Sequence, residues 1–252
     1  HGEQAQYIPV QHGEPFPKIS PGETIYVVDF SYSREILEYV ADQCNIVLLD
    51  HHKTAMEDLA DLPFAHFDMN KSGAVLAWEY FHPYEPLPLL LSYVQDYDLW
   101  NKELPHTDEN KAWRSSFPPT FCSWQEMDLI VSRNDNWKTE GKAILRSQKM
   151  QMQRSLSKAF EVTIEPHLVL AVNETQYSSE VAGELAKNTQ YPFGACFFVR
   201  GDGLKIWSLR SDRTLGDFDV SAVAKLRGGG GHRNAAAFKE SAEFPILLSK
   251  PS

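Results

Sequence analysis

The first fifty residues alternate between short, continuous apolar runs and a segment with helical spacing. The apolar runs "ETIYVVDF" (23–30) and "NIVLLD" (45–50) are rich in β-branched and aliphatic residues and lead to Asp29 and Asp50. Between them, "SYSREILEYVADQC" opens with serines that can cap a helix and repeats apolar residues at helical spacing. Continuous hydrophobicity is typical of strands buried on both faces, so the pattern predicts a βαβ unit in a parallel sheet covered by helices.

The rest of the pattern predicts a second, smaller α/β unit. Helices are predicted over 72–81, 88–100 and 139–160, with only short helices and loops in the stretch that ends at residue 135. The pattern then restarts as strand, helix, strand, strand and helix: "HLVLAV", "SSEVAGELAKN", "GACFFV", "LKIWSLRS" and "DVSAVAKL". Near the start, Tyr7, Ile8 and Val10 predict one further strand.

The predicted fold class is therefore α/β with two domains and a cleft between them. We place a parallel-sheet domain over 1–135, a linker helix within 136–162 and the smaller α/β domain over 163–252.

Composition and charge narrow the classes of function. Hydrophobic residues make up 42% and charged residues 23% of the chain, and no apolar segment is long enough to cross a bilayer, so we expect no membrane partner. Cys44, Cys122 and Cys196 form no CxxC pair, which fits a reducing, cytoplasmic compartment. A net charge of -10, from 24 basic and 34 acidic residues, argues against gripping long duplex nucleic acid. The net charge does not exclude short anionic ligands that bind through a metal.

Polar side chains follow both predicted strands of the first domain. Asp29 ends one strand, and Asp50, His51 and His52 end the other. In open α/β sheets ligands bind beyond the carboxyl ends of the strands. A carboxylate with two imidazoles suits a divalent ion such as Mn(II). The alternatives are ordinary ones, since Asp29 could be a turn residue or cap, and the histidine pair could simply open the next helix.

The segment "SYVQDYDLW" supplies a further carboxylate. Asp96 lies on helical turns that should face the core, so a carboxylate there needs a reason, and we predict a metal ligand. Asp98 is the alternative ligand, or a cap of the next turn. We interpret His66 and Asp68 as ordinary polar residues of a strand-to-helix loop.

The second strong signal is "LRGGGGHRNAAAF", residues 226–238. Four consecutive glycines, Gly228 to Gly231, suit neither a helix nor a strand interior because of their entropic cost. We expect their backbone N–H groups to approach a ligand, with a flexible linker as the alternative. His232 and Arg233 would then offer donors to an anionic group, for which a guanidinium is well suited.

Together, "LLDHHK" after "VVDFS" and "GGGGHRNAAAF" after "SLRSD" resemble the DHH phosphoesterase family with its C-terminal DHH-associated domain. This family includes RecJ-type exonucleases, oligoribonucleases, cyclic-dinucleotide phosphodiesterases and, for the first domain, manganese-dependent pyrophosphatases. The motifs stand near both ends in the family's order, so the resemblance covers nearly the whole chain.

The resemblance implies a role for each matching residue. Asp29, His51 and Asp96 would bind metal. The implied metal is Mn(II), as two ions in the complete protein, and Mg(II) or Co(II) are the alternatives. Asp50 would orient the cluster, and His52 would face the substrate phosphate or the leaving group. Substrate contacts would come from Arg210, Ser211, Gly228, Gly229, Gly230, Gly231, His232 and Arg233.

The implied function is a manganese-dependent phosphoesterase that hydrolyses phosphodiester bonds of short oligonucleotides or small nucleotides by a two-metal mechanism. The alternatives are a pyrophosphate or polyphosphate hydrolase and a non-catalytic nucleotide-binding protein. The family's first motif, a histidine with paired aspartates, has no counterpart in this chain, so we expect about 20 to 30 further residues upstream. The oligomeric state stays open, a homodimer included.

Overall fold

The computed structural model of the protein describes residues 5–11, 13–216 and 218–247. Its first lobe contains a three-stranded parallel sheet, in the order β1-β2-β3, with three helices packed against it. The elements are β1 (Thr24–Val28), α1 (Arg34–Ala41), β2 (Asn45–Asp50), α2 (Lys53–Leu59), β3 (Ala65–Phe67) and α3 (Gly73–Phe81). Leu37 and Leu48 are fully buried between sheet and helix, which confirms the predicted βαβ unit.

Four helices follow and form a second core beside this sheet. They are α4 (Leu89–Asp98), α5 (Thr107–Arg114), α6 (Phe121–Arg133) and α7 (Asn136–Leu156). Trp113, Met127 and Trp137 are buried at their centre. A Cβ on Gly141 of α7 would lie 2.3 Å from the backbone oxygen of Glu109, so α7 packs closely on α5.

The second lobe is a six-stranded mixed sheet in the order β4-β5-β6-β7-β9-β8. Its elements are β4 (Phe160–Ile164), β5 (His167–Asn173), α8 (Ser178–Leu185), β6 (Gly194–Val199), β7 (Leu204–Arg210), α9 (Val220–Lys225), β8 (Gly230–His232) and β9 (Ala235–Ser241). Only β5 and β6 pair in parallel, and the other neighbours are antiparallel. This architecture confirms the predicted α/β class, with a parallel sheet in the first lobe and a second, mixed sheet in the other.

Several predicted elements differ from the observed ones. Residues 7–10 form no strand, and β4 begins at Phe160, inside the predicted linker range. The expectation that the glycine run avoids strand structure was wrong, because Gly230 and Gly231 belong to β8 and pair with Ala237 and Ala236. The predicted domain ends at 1–4 and 248–252 lie outside the described residues.

Two expectations from composition can be compared with the structure. All three cysteines are free, with Cys44 and Cys196 buried and Cys122 exposed. Within the described ranges, no helix combines the length and apolarity needed to span a bilayer.

Candidate metal and phosphate site

The carboxyl ends of β1 and β2 bring a histidine between two aspartates. Nε2 of His51 lies 3.0 Å from Oδ1 of Asp29 and 3.4 Å from Oδ2 of Asp98. His51 is only 1% exposed, and its Nδ1 has no hydrogen-bond partner among the described residues. Asp29 adopts a left-handed backbone with φ of 57°, and its N–H donates to the oxygen of Leu49 at 2.9 Å. The strained residue is thus held in place by the neighbouring strand.

Gly73, which opens α3, makes room for Asp29. A Cβ on Gly73 would lie 2.4 Å from the Asp29 side chain, so only glycine allows the helix and the carboxylate to approach this closely. Sequence reasoning did not select Gly73. The signal was present in "SGAV", where the capping Ser72 is followed by the smallest residue.

The structure places Asp98, and not Asp96, beside His51. Asp98 is the last residue of α4 and its side chain stays 44% exposed in the cleft. Asp96 is buried, and its carboxylate accepts hydrogen bonds from the N–H groups of Glu103 and Leu104 and from the hydroxyl of Thr107. The predicted ligand Asp96 is therefore occupied in shaping the loop after α4, and the geometry favours Asp98.

Asp50 orients the histidine pair through hydrogen bonds to its buried carboxylate. It is fully buried and accepts hydrogen bonds from Nδ1 of His52 at 2.7 Å, from the His51 N–H at 2.7 Å and from the hydroxyl of Ser31. Burial alone would raise the pKa of Asp50, but the bond to His52 outweighs it and holds that pKa below 3.8. In turn, burial lowers the pKa of His52, and Asp50 more than restores it, so that pKa lies above 6.5.

The second lobe adds a third imidazole to this cluster. His232, on β8, lies with its ring centroid 4.5 Å from that of His51 and is stacked on His52 at 4.7 Å. Burial, aided by the two neighbouring histidines, lowers the pKa of His232 to about 3. Ligand atoms of His51, His52 and His232 all lie within 4.8 Å of one another, as do those of Asp29, Asp50 and His52.

The glycine run has structural uses that differ from the expected display of N–H groups. The N–H groups of Gly228 and Gly229 donate to the oxygens of Lys225 and Ala224 and end α9, with Gly228 in the left-handed region at φ of 70°. The N–H of Gly231 donates across the cleft to the hydroxyl of Thr54 at 3.3 Å. These three groups are therefore engaged within the protein, and the run delivers His232 to the cleft.

The other predicted substrate residues lie around the cleft with partners of their own. Arg210 donates to the hydroxyl of Ser179, while its Nε is buried with no partner among the described residues. Ser211 donates to the backbone oxygen of Phe218 and accepts from Asn234, so it stabilises the loop before α9. Arg233 lies 3.6 Å from Asp219.

The donor set of this cluster fits a divalent cation. Partial burial raises the pKa of Asp98 above its usual 3.8, and the charge of Asp29 adds to that rise while His51 opposes it. Two carboxylates directed at one imidazole repel each other, and a bound cation would relieve that repulsion. Carboxylate with imidazole is a ligand set that Mn(II) accepts.

Comparisons with known proteins give two curated relatives of the chain. No protein-family model matches the chain. It is 30% identical over 258 residues to an uncharacterized protein of Acanthamoeba polyphaga mimivirus, covering 93% of this chain and 59% of that protein. It is 24% identical over 238 residues to oligoribonuclease NrnB of Bacillus subtilis (strain 168), covering 85% of this chain and 58% of that protein. The chain thus spans about six-tenths of the length of both curated relatives.

A solved structure supports the fold. The DHH domain of a member of the S1p family of ribosomal proteins matches 89% of this chain and 65% of that one, with 14% identity and a TM-score of 0.51. The fold is therefore of the DHH type. Together with the oligoribonuclease relative, it supports the DHH phosphoesterase family that the two motifs indicate.

Proposed function

We propose that the protein is a metal-dependent phosphoesterase that hydrolyses phosphodiester bonds in short oligonucleotides or small nucleotides. The observation that carries the proposal is the convergence of Asp29, His51 and Asp98 from the first lobe with His232 from the second. The similarity to an oligoribonuclease supports the choice of substrate class.

Asp29, His51 and Asp98 would hold the metal, which we propose to be Mn(II), bound as a pair of ions. When bound, such metals supply Lewis-acid stabilisation of phosphoryl oxygens and lower the pKa of a water molecule. The buried position of His51 and the close packing of Gly73 on Asp29 hold these donors in place before any ligand arrives.

His52 would act on the leaving oxygen. Its Nδ1 is tied to Asp50, so Nε2 is the ring nitrogen free to donate a proton or a hydrogen bond to substrate. Asp50 also anchors the His51 backbone, so a single buried carboxylate sets the positions of both histidines. His232 closes the site from the other lobe and would contact the part of the nucleotide that lies beyond this phosphate.

The test is a manganese-dependent assay of the complete gene product on di- to pentanucleotides, cyclic dinucleotides and pyrophosphate. We expect turnover of the short nucleotides, and its loss in Asp29→Ala and His51→Ala, with Asp128→Ala on α6 as an unaffected control. Unchanged turnover in the first two variants would contradict the metal assignment. Binding of nucleotide without hydrolysis under any metal would instead support a non-catalytic nucleotide-binding protein.

A second arm separates chemistry from recognition. His232→Ala should reduce turnover of a dinucleotide more than that of bis-nitrophenyl phosphate, because His232 reaches the site from the second lobe. Equal losses on both substrates would show that His232 acts on the reacting phosphate alone or on structure.

A further inference from the structure

A cavity of about 170 Å³ lies between the lobes. Its walls come from α7, from α8 and from the end of α4 with the loop that follows it, and they include Tyr97, Trp100, Leu145, Met152, Tyr177 and Gly183. A protein cavity of roughly 150 Å³ accommodates a benzene ring, so this one suits a single aromatic ring system. The remaining lining residues are charged or polar, with both signs of charge present, so the aromatic rings supply the flat apolar surface on which an unsaturated ring could stack.

Trp100 is held in the wall by a strained loop. Trp100 and Lys102 both adopt left-handed backbones, with φ of 57° and 54°. Asp96 maintains this loop, because its backbone oxygen accepts from the N–H groups of Asn101 and Lys102, at 3.0 and 3.2 Å, in addition to its side-chain bonds. Strain of this kind persists only where the surroundings impose it, and it commonly marks a functional segment.

The second lobe also packs against this loop. A Cβ on Gly183 would lie 3.0 Å from Cζ2 of Trp100, so the glycine lets α8 approach the edge of the indole. Nη2 of Arg213 donates to the oxygen of Leu99 and to Oδ1 of Asn101, each at 3.0 Å. The indole is thus presented at the junction of the lobes.

Cations accompany the aromatic ring. The Lys102 ammonium lies 4.2 Å from the Trp100 ring centroid, and the Arg210 guanidinium carbon lies 5.8 Å from it. Lys149 lines the same cavity and forms no ion pair with the residues that the structure describes. A ring beside positive charge matches a nucleotide, which joins an aromatic base to a phosphate.

The position agrees with the proposed chemistry. Trp100 follows the proposed ligand Asp98 by two residues, and Ser211 next to Arg210 lines the cavity. We propose that this cavity is a nucleobase subsite, in which a base adjoining the scissile phosphate stacks on Trp100. Lys102, which in this structure covers the indole and pairs with Asp108 at 2.9 Å, would exchange that carboxylate for the phosphate of the nucleotide. The inference rests on the proposed function and names a residue that selects nucleotides over other phosphodiesters.

The experiment measures binding without turnover. Affinities of adenosine 5′-monophosphate and ribose 5-phosphate are measured by titration calorimetry in EDTA, so neither metal nor hydrolysis is involved. Trp100→Ala should weaken the nucleotide about tenfold and leave ribose 5-phosphate unchanged, because base stacking on an aromatic side chain contributes about that much affinity. Trp100→Phe, which keeps a ring, should retain most of the nucleotide affinity.

Two further variants distinguish loss of the subsite from general effects of replacing a tryptophan. Leu145→Trp fills the cavity from α7 without altering the Trp100 loop, and should weaken the nucleotide as Trp100→Ala does. Trp124→Ala removes an indole that is 37% exposed on α6 and does not line the cavity, and should change nothing.

The outcomes separate this inference from the proposed function. Absence of nucleotide binding, equal losses for both ligands, or full affinity in Trp100→Ala and Leu145→Trp would overturn the subsite. An enzyme that hydrolyses dinucleotides with no dependence on Trp100 would overturn the subsite alone. A protein without turnover that binds the nucleotide through Trp100 would support the subsite while the proposed function fails.

Discussion

Asp96 and Asp98 lie two residues apart on α4 and have different surroundings. Residues at this spacing face different sides of a helix, so one carboxylate turns to the loop and the other to the cleft. Sequence reasoning chose Asp96 because a carboxylate on a core-facing turn needs a partner. The partners are the N–H groups of Glu103 and Leu104 and the hydroxyl of Thr107, which no pattern in the sequence could reveal.

This difference gives a prediction about stability. Asp96→Ala should lower the free energy of unfolding by about 2 to 4 kcal/mol, because it leaves buried loop donors without an acceptor. Asp98→Ala, at a half-exposed position, should change it by less than about 1 kcal/mol. Urea unfolding of both variants measures this directly. Equal effects would contradict the structural role assigned to Asp96.

At the scale of single elements, prediction succeeded where apolar residues run without interruption. β2 and β6 have the bounds that "NIVLLD" and "GACFFV" predict, because both strands are buried and rich in strand-forming residues. β8 and β9 were missed because glycine and alanine have weak strand propensity. Their pairing depends on the neighbouring β7 and on α2 across the cleft, and these are long-range contacts.

The glycine run yields a prediction for its element. A Cβ on Gly229 would lie 2.1 Å from the backbone oxygen of Ala237, so Gly229→Ala should destabilise the second lobe by about 1 to 3 kcal/mol through overpacking. Gly201→Ala is the matched control, since nothing lies within 4 Å of the added carbon. Thermal unfolding of the two variants compares them. A stable Gly229→Ala protein would show that β9 tolerates displacement and that close packing is not the reason for this glycine.

At the scale of the whole molecule, the sequence predicted two lobes and a cleft but not how the lobes dock. Lys53 pairs with Asp219, and Glu180 accepts from Lys111 and from the hydroxyl of Tyr97. These partners lie far apart in the sequence, and nothing in a single sequence distinguishes them from other surface charges. The site depends on this docking, because His232 reaches His51 and His52 only from the second lobe.

The docking contacts predict a pH dependence. Burial would raise the pKa of Glu180, but the bonds from Lys111 and Tyr97 outweigh it and hold that pKa below 4.5. Burial likewise acts on Asp219, and Lys53 holds its pKa below 3.8. A group whose pKa is lower in the folded than in the unfolded protein stabilises the fold when the pH is above its ordinary, unfolded-state pKa. This stabilisation is lost as the pH falls through the lowered, folded-state pKa.

We therefore expect the free energy of unfolding to decline as the pH falls below about 4.5. Glu180→Gln should be less stable at neutral pH and show a shallower decline, because it keeps no titrating group at this contact. Urea unfolding between about pH 3 and pH 6 compares the two proteins. The same slope in both would mean that Glu180 contributes nothing to the acid sensitivity.

The central claim is that Asp29, His51 and Asp98 form a metal site, and direct Mn(II) binding tests it most closely. Electron paramagnetic resonance detects free Mn(II). Titration of the wild type, Asp98→Asn and Asp96→Asn with Mn(II) therefore gives the affinity of each protein for the metal. The account predicts binding by the wild type, a loss of more than about tenfold in affinity for Asp98→Asn, and retained affinity for folded Asp96→Asn. Undiminished binding by Asp98→Asn, or loss confined to a folded Asp96→Asn, would contradict it.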